Sequence, residues 1–76
     1  MEITITLREA GRKETLCLDE RLRMDEVLRR LRAQGVYSAG VTDCRFLRSL
    51  LRAELVDIRQ SFREAGIVSG DDLELV

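Results

Sequence analysis

The 76-residue sequence has no histidine and only two cysteines, Cys17 and Cys44. Without histidine and without a C-x-x-C pair, the familiar zinc frameworks have no ligand set. G-x-S-x-G and G-x-x-x-x-G-K are both missing, and neither cysteine sits beside an obvious base. No catalytic, metal-binding or cofactor-binding residue is therefore expected, and the chain reads as a binding protein rather than an enzyme. No run approaches the ~20 apolar residues of a membrane span, so direct membrane insertion is not expected. The opening "MEITITL" is polar and alternating, unlike a basic segment followed by an apolar run. Two reduced thiols in a cytoplasmic protein are the corresponding expectation. Repeats, linkers and low-complexity tracts are missing too, which leaves one domain over residues 1–76.

Lysine is scarce: Lys13 stands against twelve arginines. Net charge is -1, so no global field draws the chain to nucleic acid, which needs clustered positive charge. Apolar residues make up 45% and charged residues 36%, a balance that suits a compact domain and excludes disorder. A chain this short buries a modest fraction of its surface. Each strong apolar position is thus expected in the core, with few to spare for a deep pocket.

Residues 2–8, "EITITLR", alternate, with Ile3, Ile5 and Leu7 on one face and Thr4 and Thr6 on the other. This predicts a half-buried strand. "EAGR" supplies a turn with Gly11 at a position open to positive φ. "KETLCLD" alternates again, so the two runs read as a hairpin. Parity puts Leu16 and Leu18 on the core side and Cys17 on the other, where it is accessible. In "MDEVLRRLRAQ", Met24, Val27, Leu28 and Leu31 recur at i, i+3, i+4 and i+7, a helical stripe. Asp25–Arg29 and Glu26–Arg30 are spaced as i, i+4 ion pairs. Gly35 is placed as a left-handed cap, with Val36 as its apolar contact. Arg23 is a poor N-cap, so Asp25 or Asp19 is expected to supply the acceptor.

Residues 36–43 read as a loop. Residues 44–58, "CRFLRSLLRAELVDI", fit either a helical stripe or two short strands turning near 52–54, and periodicity does not decide. In "SFREAG", Ser61 and Glu64 have capping-box spacing, and Gly66 closes the turn. "SGDD" is turn chemistry, and "LELV" alternates as a last strand. The glycines of "AGIVSG" lack a lysine and a following helix, which disfavours a phosphate loop. Asp71–Asp72 reads as a solvated acidic turn rather than a cation site.

Two strands, a helix, an apolar segment, a short helical turn and a final strand resemble the ubiquitin-like superfamily. "SFREAGIVSGDDLELV" carries the most specific likeness, through Phe62, Gly66, Ile67, Leu73 and Leu75. The ending Gly66-Ile67, Gly70-Asp71, Leu73-Glu74-Leu75-Val76 is similar to the bacterial YukD/EsaB group, small proteins associated with type VII (WXG-type) secretion. The resemblance implies an α+β, β-grasp fold: ββαββ with a short helical turn before the last strand, and a mixed sheet packed on one helix. It also implies that residues 45–51 and 55–57 are strands, against their helical propensity.

The functional expectation is a non-conjugating adaptor that binds protein partners, secretion-machinery components among them. Conjugable relatives and sulfur carriers end in a flexible Gly-Gly tail, whereas this sequence as given reaches Val76 within the predicted strand. The alternative is a modifier or sulfur carrier whose Gly-Gly tail lies beyond this sequence. Within residues 44–58, Leu47 and Leu51 cannot easily share the inward side with Phe46 and Leu50. One pair is expected to face out unless a bulge buries both. Leu47 and Leu51 with Arg45, Arg48 and Arg52 would form an apolar centre with a basic rim, the candidate protein-interaction site. Weak homodimerisation through edge strands or the open sheet face is the structural alternative.

Overall fold

The computed structural model describes residues 1–9, 11–35 and 45–76. The loop expected over 36–43, the contact expected of Val36 and the thiol of Cys44 lie outside the described residues. The elements are β1 (Glu2–Glu9), β2 (Arg12–Asp19), α1 (Met24–Ala33), β3 (Phe46–Ser49), β4 (Glu54–Asp57) and β5 (Asp72–Leu75). They form one sheet in the order β2-β1-β5-β3-β4. The β1–β5 pair is parallel and the other three pairs are antiparallel, so the sheet is mixed.

Side-chain parity builds the core. Ile3, Ile5 and Leu7 of β1, Leu18 of β2, Leu47 of β3, Val56 of β4 and Leu73 of β5 are all buried. Against them lie Met24, Val27, Leu28 and Leu31, the helical stripe read from the sequence. The central parallel pair sets Leu7 beside Leu73, and both are fully buried. Burial there removes apolar surface on the order of 25 cal/mol per Å² from water.

The helix ends differ in how the sequence foresaw them. At the C-terminus, Gly35 has φ +76° and its N–H donates to the Arg32 carbonyl at 2.9 Å, the expected left-handed cap. At the N-terminus no side chain caps the helix. Asp19 instead accepts the Arg21 amide at 2.9 Å, and Asp25 accepts from Arg23 at 2.7 Å. The first helical amides are satisfied by a distant segment: Met24 N–H donates to the Gln60 carbonyl and Asp25 N–H to that of Ile58. A backbone donor is obligatory but indifferent to the origin of its acceptor. That choice is tertiary, so it leaves no local trace.

The turn before β5 follows its sequence closely. Glu64 N–H donates to Ser61 Oγ at 3.0 Å, and Ser61 N–H to Glu64 Oε1 at 2.9 Å, a reciprocal capping box. Gly66 N–H then donates to Arg63 O and Ile67 N–H to Phe62 O. This is a Schellman closure, with Phe62 and Ile67 both buried as its apolar contact. Gly66 takes φ +76°, which strains any residue with a side chain, and a Cβ there would lie 2.7 Å from Arg52 Nη1, so the guanidinium would have to shift.

The segment that periodicity left open is a strand pair. β3 and β4 are antiparallel in the register Phe46–Asp57, Leu47–Val56, Arg48–Leu55 and Ser49–Glu54. The turn between them has no glycine, and Ala53 takes the left-handed conformation, φ +54°. β3 is shorter than the 45–51 that the resemblance implied, since it closes at Ser49 and Leu50 and Leu51 are turn residues, whereas β4 begins one residue before the implied 55–57.

Candidate protein-interaction surface

The sheet face opposite α1 has no layer packed on it among the described residues. In β3, Leu47 and Ser49 point to the core, which sends Phe46 and Arg48 to this open face. In β4, Val56 points in, which sends Leu55 out. Arg48 lies directly between Leu55 of β4 and Glu74 of β5, 3.8 Å from Glu74 Oε1. Phe46 is 44% exposed and Leu55 55% exposed. They are diagonal neighbours on one face, within reach of each other and of a shared ligand side chain. Leu50 and Leu51 follow in the turn, also exposed.

The five residues expected to make this surface separate. Leu47 does not belong: it has no exposed surface at all, because the register places it between Val56 and Leu75. Of the two pairs weighed, Phe46 and Leu50 face out and Leu47 is buried, but Leu51 is exposed as well instead of sharing the inward side with Leu47. Leu51 is 62% exposed. Arg48 is exposed on the sheet face, and Arg45 is exposed just before β3. Arg45 and Phe46 line a cleft of about 290 Å³ with Asp57, Ile58 and Arg59. Arg52 is tied down rather than free. Its Nη2 donates to the Ala65 carbonyl at 2.8 Å and sits 3.0 Å from Glu54 Oε2, fastening the β3–β4 turn to the 61–66 turn. Phe46 and Leu55, which the sequence reading did not select, are the exposed apolar residues on the strands themselves.

Asp57, which lines this cleft, and Asp19, at the end of β2 on the far edge of the sheet, share one local geometry. Asp57 accepts the Arg59 backbone N–H at 2.9 Å and its Nη2 at 2.7 Å. Asp19 does the same with Arg21, at 2.9 and 3.0 Å. In each case the side-chain bond from arginine, reinforced by the backbone N–H, holds the carboxyl down at about 2, below the ordinary 3.8. A depressed carboxyl contributes stability that is complete above the ordinary value and is lost as pH falls through about 2. Arg59→Gln removes the larger cause and keeps the backbone donor. Carboxyl-carbon NMR titration is expected to show Asp57 moving up toward 3.8 while Asp19 stays near 2. An unmoved Asp57 would show that the guanidinium is not the cause.

Asp71 and Asp72 are not the solvated pair the turn suggested. Asp72 Oδ1 accepts from Arg8 Nε at 2.7 Å across β1 and β5, a bond that lowers the Asp72 carboxyl. Asp71 is 1% exposed, with its carboxylate on Ser49 Oγ. No cluster of three potential metal ligands occurs among the described residues. Cys17 is exposed, as its parity required. No described helix is long and apolar enough to cross a membrane.

No protein-family model matches the sequence, and no curated protein matches it. Solved structures do. The N-terminal ubiquitin-like domain of the 4931431F19Rik protein aligns at TM-score 0.70 and 11% identity, over 99% of this chain and 73% of that one. A de novo designed protein based on ubiquitin aligns at TM-score 0.74 and 21% identity, over 99% of this chain and 87% of that one. The fold is a ubiquitin-like β-grasp. The ubiquitin-like domain of EccD5 from Mycobacterium xenopi aligns at TM-score 0.57 and 22% identity, over 100% of this chain and 93% of that one. At these identities the likeness is one of fold, and the ubiquitin-like sheet is what positions Phe46, Arg48 and Leu55 on one open face.

Proposed function

We propose that this ubiquitin-like domain is a cytoplasmic, non-enzymatic adaptor of a type VII secretion system, of the YukD/EsaB kind. It works by protein–protein binding through the open sheet face. The main support is the end-to-end match to a domain of EccD5, a type VII secretion component. The ending Gly66-Ile67, Gly70-Asp71, Leu73-Glu74-Leu75 agrees with it. The binding element is the pair Phe46 and Leu55 around Arg48, with Arg45 at its margin and Leu51 in the adjoining turn. Exposed apolar residues beside arginine are the composition of interface centres.

Affinity purification of the tagged protein from its own organism tests this reading. Secretion-machinery proteins are expected with the wild type and are lost with Leu55→Asp, which changes an exposed side chain. Their absence from the wild-type sample would overturn the assignment. Repeating the purification under denaturing conditions distinguishes an adaptor from a modifier. A covalent adduct that survives denaturation would establish the modifier and overturn the adaptor.

A further inference from the structure

We infer that the cleft at the β1–β2 hairpin binds a phosphate monoester, carried on a phosphorylated side chain of a partner protein. The cleft shares the open face with Phe46 and Leu55 but stands at its far end, and it does not depend on the function proposed for them. The sheet register builds the site. Lys13 of β2 stands opposite Arg8 of β1, and Arg8 opposite Glu74 of β5. Glu74 stands opposite Arg48 of β3, and Arg48 opposite Leu55 of β4. These five side chains form one row across the open face, apolar at one end and basic at the other.

At the basic end, Arg8, Gly11, Arg12, Lys13 and Glu74 line a cleft of about 220 Å³. That volume is below the range of drug-sized ligand pockets and suits one phosphoryl group. Like charges directly opposite each other on a sheet face are destabilising, yet Lys13 faces Arg8. A charge at position 13 guards the edge strand, but a carboxylate there would guard it and pair with Arg8 as well. The basic choice goes beyond what the edge requires.

Charge selects the ligand. Arg8 is held by one bond, from Nε to Asp72 Oδ1 at 2.7 Å, and its two Nη groups remain as donors. Glu74 is shared with Arg48, whose Nη1 lies 3.8 Å from it. Arg12 and Lys13 are exposed, and among the described residues neither forms an ion pair. Two positive charges are left over at the cleft, and a phosphate monoester carries about −1.5 to −2. Arginine forks match its oxygens bidentately, and lysine adds a point charge. A carboxylate would balance only one of the two.

The test is an NMR titration of the ¹⁵N-labelled protein with end-capped phosphoserine, which involves no secretion component. Saturable shifts are expected at Arg8, Gly11–Lys13 and Glu74. End-capped glutamate is expected to bind at least about threefold more weakly. Arg12→Gln and Lys13→Gln, both exposed changes, are each expected to weaken phosphoserine binding roughly three- to tenfold. Glu74→Gln removes a repelling carboxylate and is expected to tighten it roughly two- to fivefold. No saturable shift, equal binding of glutamate, or affinity unmoved by the three substitutions would overturn the proposal. Tighter binding of inorganic phosphate or of adenosine monophosphate would assign the cleft to a free ligand, and that too would overturn it.

Discussion

Leu47→Asp unfolds the domain, whereas Leu55→Asp leaves it folded. Leu47 is wholly enclosed between Val56 and Leu75, with core on every side. Truncating such a leucine to alanine already costs about 2–5 kcal/mol. Aspartate adds an unpaired buried charge, worth several kcal/mol more. A domain of this length has roughly 4–11 kcal/mol of stability in total, so little or none survives. Leu55 is 55% exposed on a four-residue strand at the sheet's end. Its replacement by aspartate costs up to about 1 kcal/mol in strand preference. Urea melts followed by circular dichroism separate the two. The register is refuted if Leu47→Asp keeps a cooperative transition within 1 kcal/mol of wild type. This pair also guards the interpretation of binding experiments, because loss of a partner in Leu47→Asp reports unfolding and in Leu55→Asp reports the surface.

What was legible in the sequence was what short-range chemistry determines. The alternation of β1 and β2, the stripe of α1, the Gly35 cap and the Ser61–Glu64 box depend on residues a few positions apart, and the structure shows each of them. The strand pair β3–β4 was not legible because its inward set is Leu47, Ser49 and Val56. The serine breaks the apolar alternation that marks a strand, while the exposed Phe46, Leu50, Leu51 and Leu55 supply a false helical stripe. Tertiary pairing with β5 overrides that local preference.

The candidate site was half legible for the same reason. Arg45, Arg48 and Leu51 were correctly placed at the surface by their position around β3. Leu47 was misplaced by one residue of parity, enough to move a side chain to the other face. Arg52 looked like a free rim cation because one of its partners, the Ala65 carbonyl, comes from thirteen residues on, beside Glu54 two residues away. The helix start follows the same rule, its acceptors being the carbonyls of 58 and 60. In these failures the deciding partner is distant in sequence, whereas the expected i, i+4 pairs of α1 fail locally, Asp25 pairing with Arg23 and Glu26 forming no ion pair with Arg30 among the described residues.

Asp71→Ala is expected to cost about 3 kcal/mol, the largest loss for any polar side chain here, since hydrogen bonds to a charged group run roughly 1.5–3 kcal/mol each. Sequence chemistry marked Asp71 as an exposed turn acid, yet the chain buries it where three strands meet. Its Oδ1 accepts the Asp72 amide at 2.7 Å, and Ser49 Oγ lies 3.0 and 2.9 Å from the two oxygens. Ser49 Oγ in turn accepts the Arg52 amide at 3.3 Å. The Asp71 carbonyl accepts from Thr6 of β1. One residue thus joins β1, the start of β5 and the end of β3, and it explains why a serine holds an inward position. Removing the carboxylate orphans the Ser49 hydroxyl and the Asp72 amide together, and a buried donor without a partner costs about 1–3 kcal/mol. Ser49→Ala alone loses the bond to Asp71 and the acceptor of the Arg52 amide. If the two side chains act as a unit, the double variant Ser49→Ala/Asp71→Ala loses at least about 1 kcal/mol less than the sum of the singles. Urea denaturation of the four proteins measures that coupling. A sum that is simply additive would mean that the buried carboxylate is held by the Asp72 amide alone, and that the structural task of Ser49 is confined to accepting the Arg52 amide.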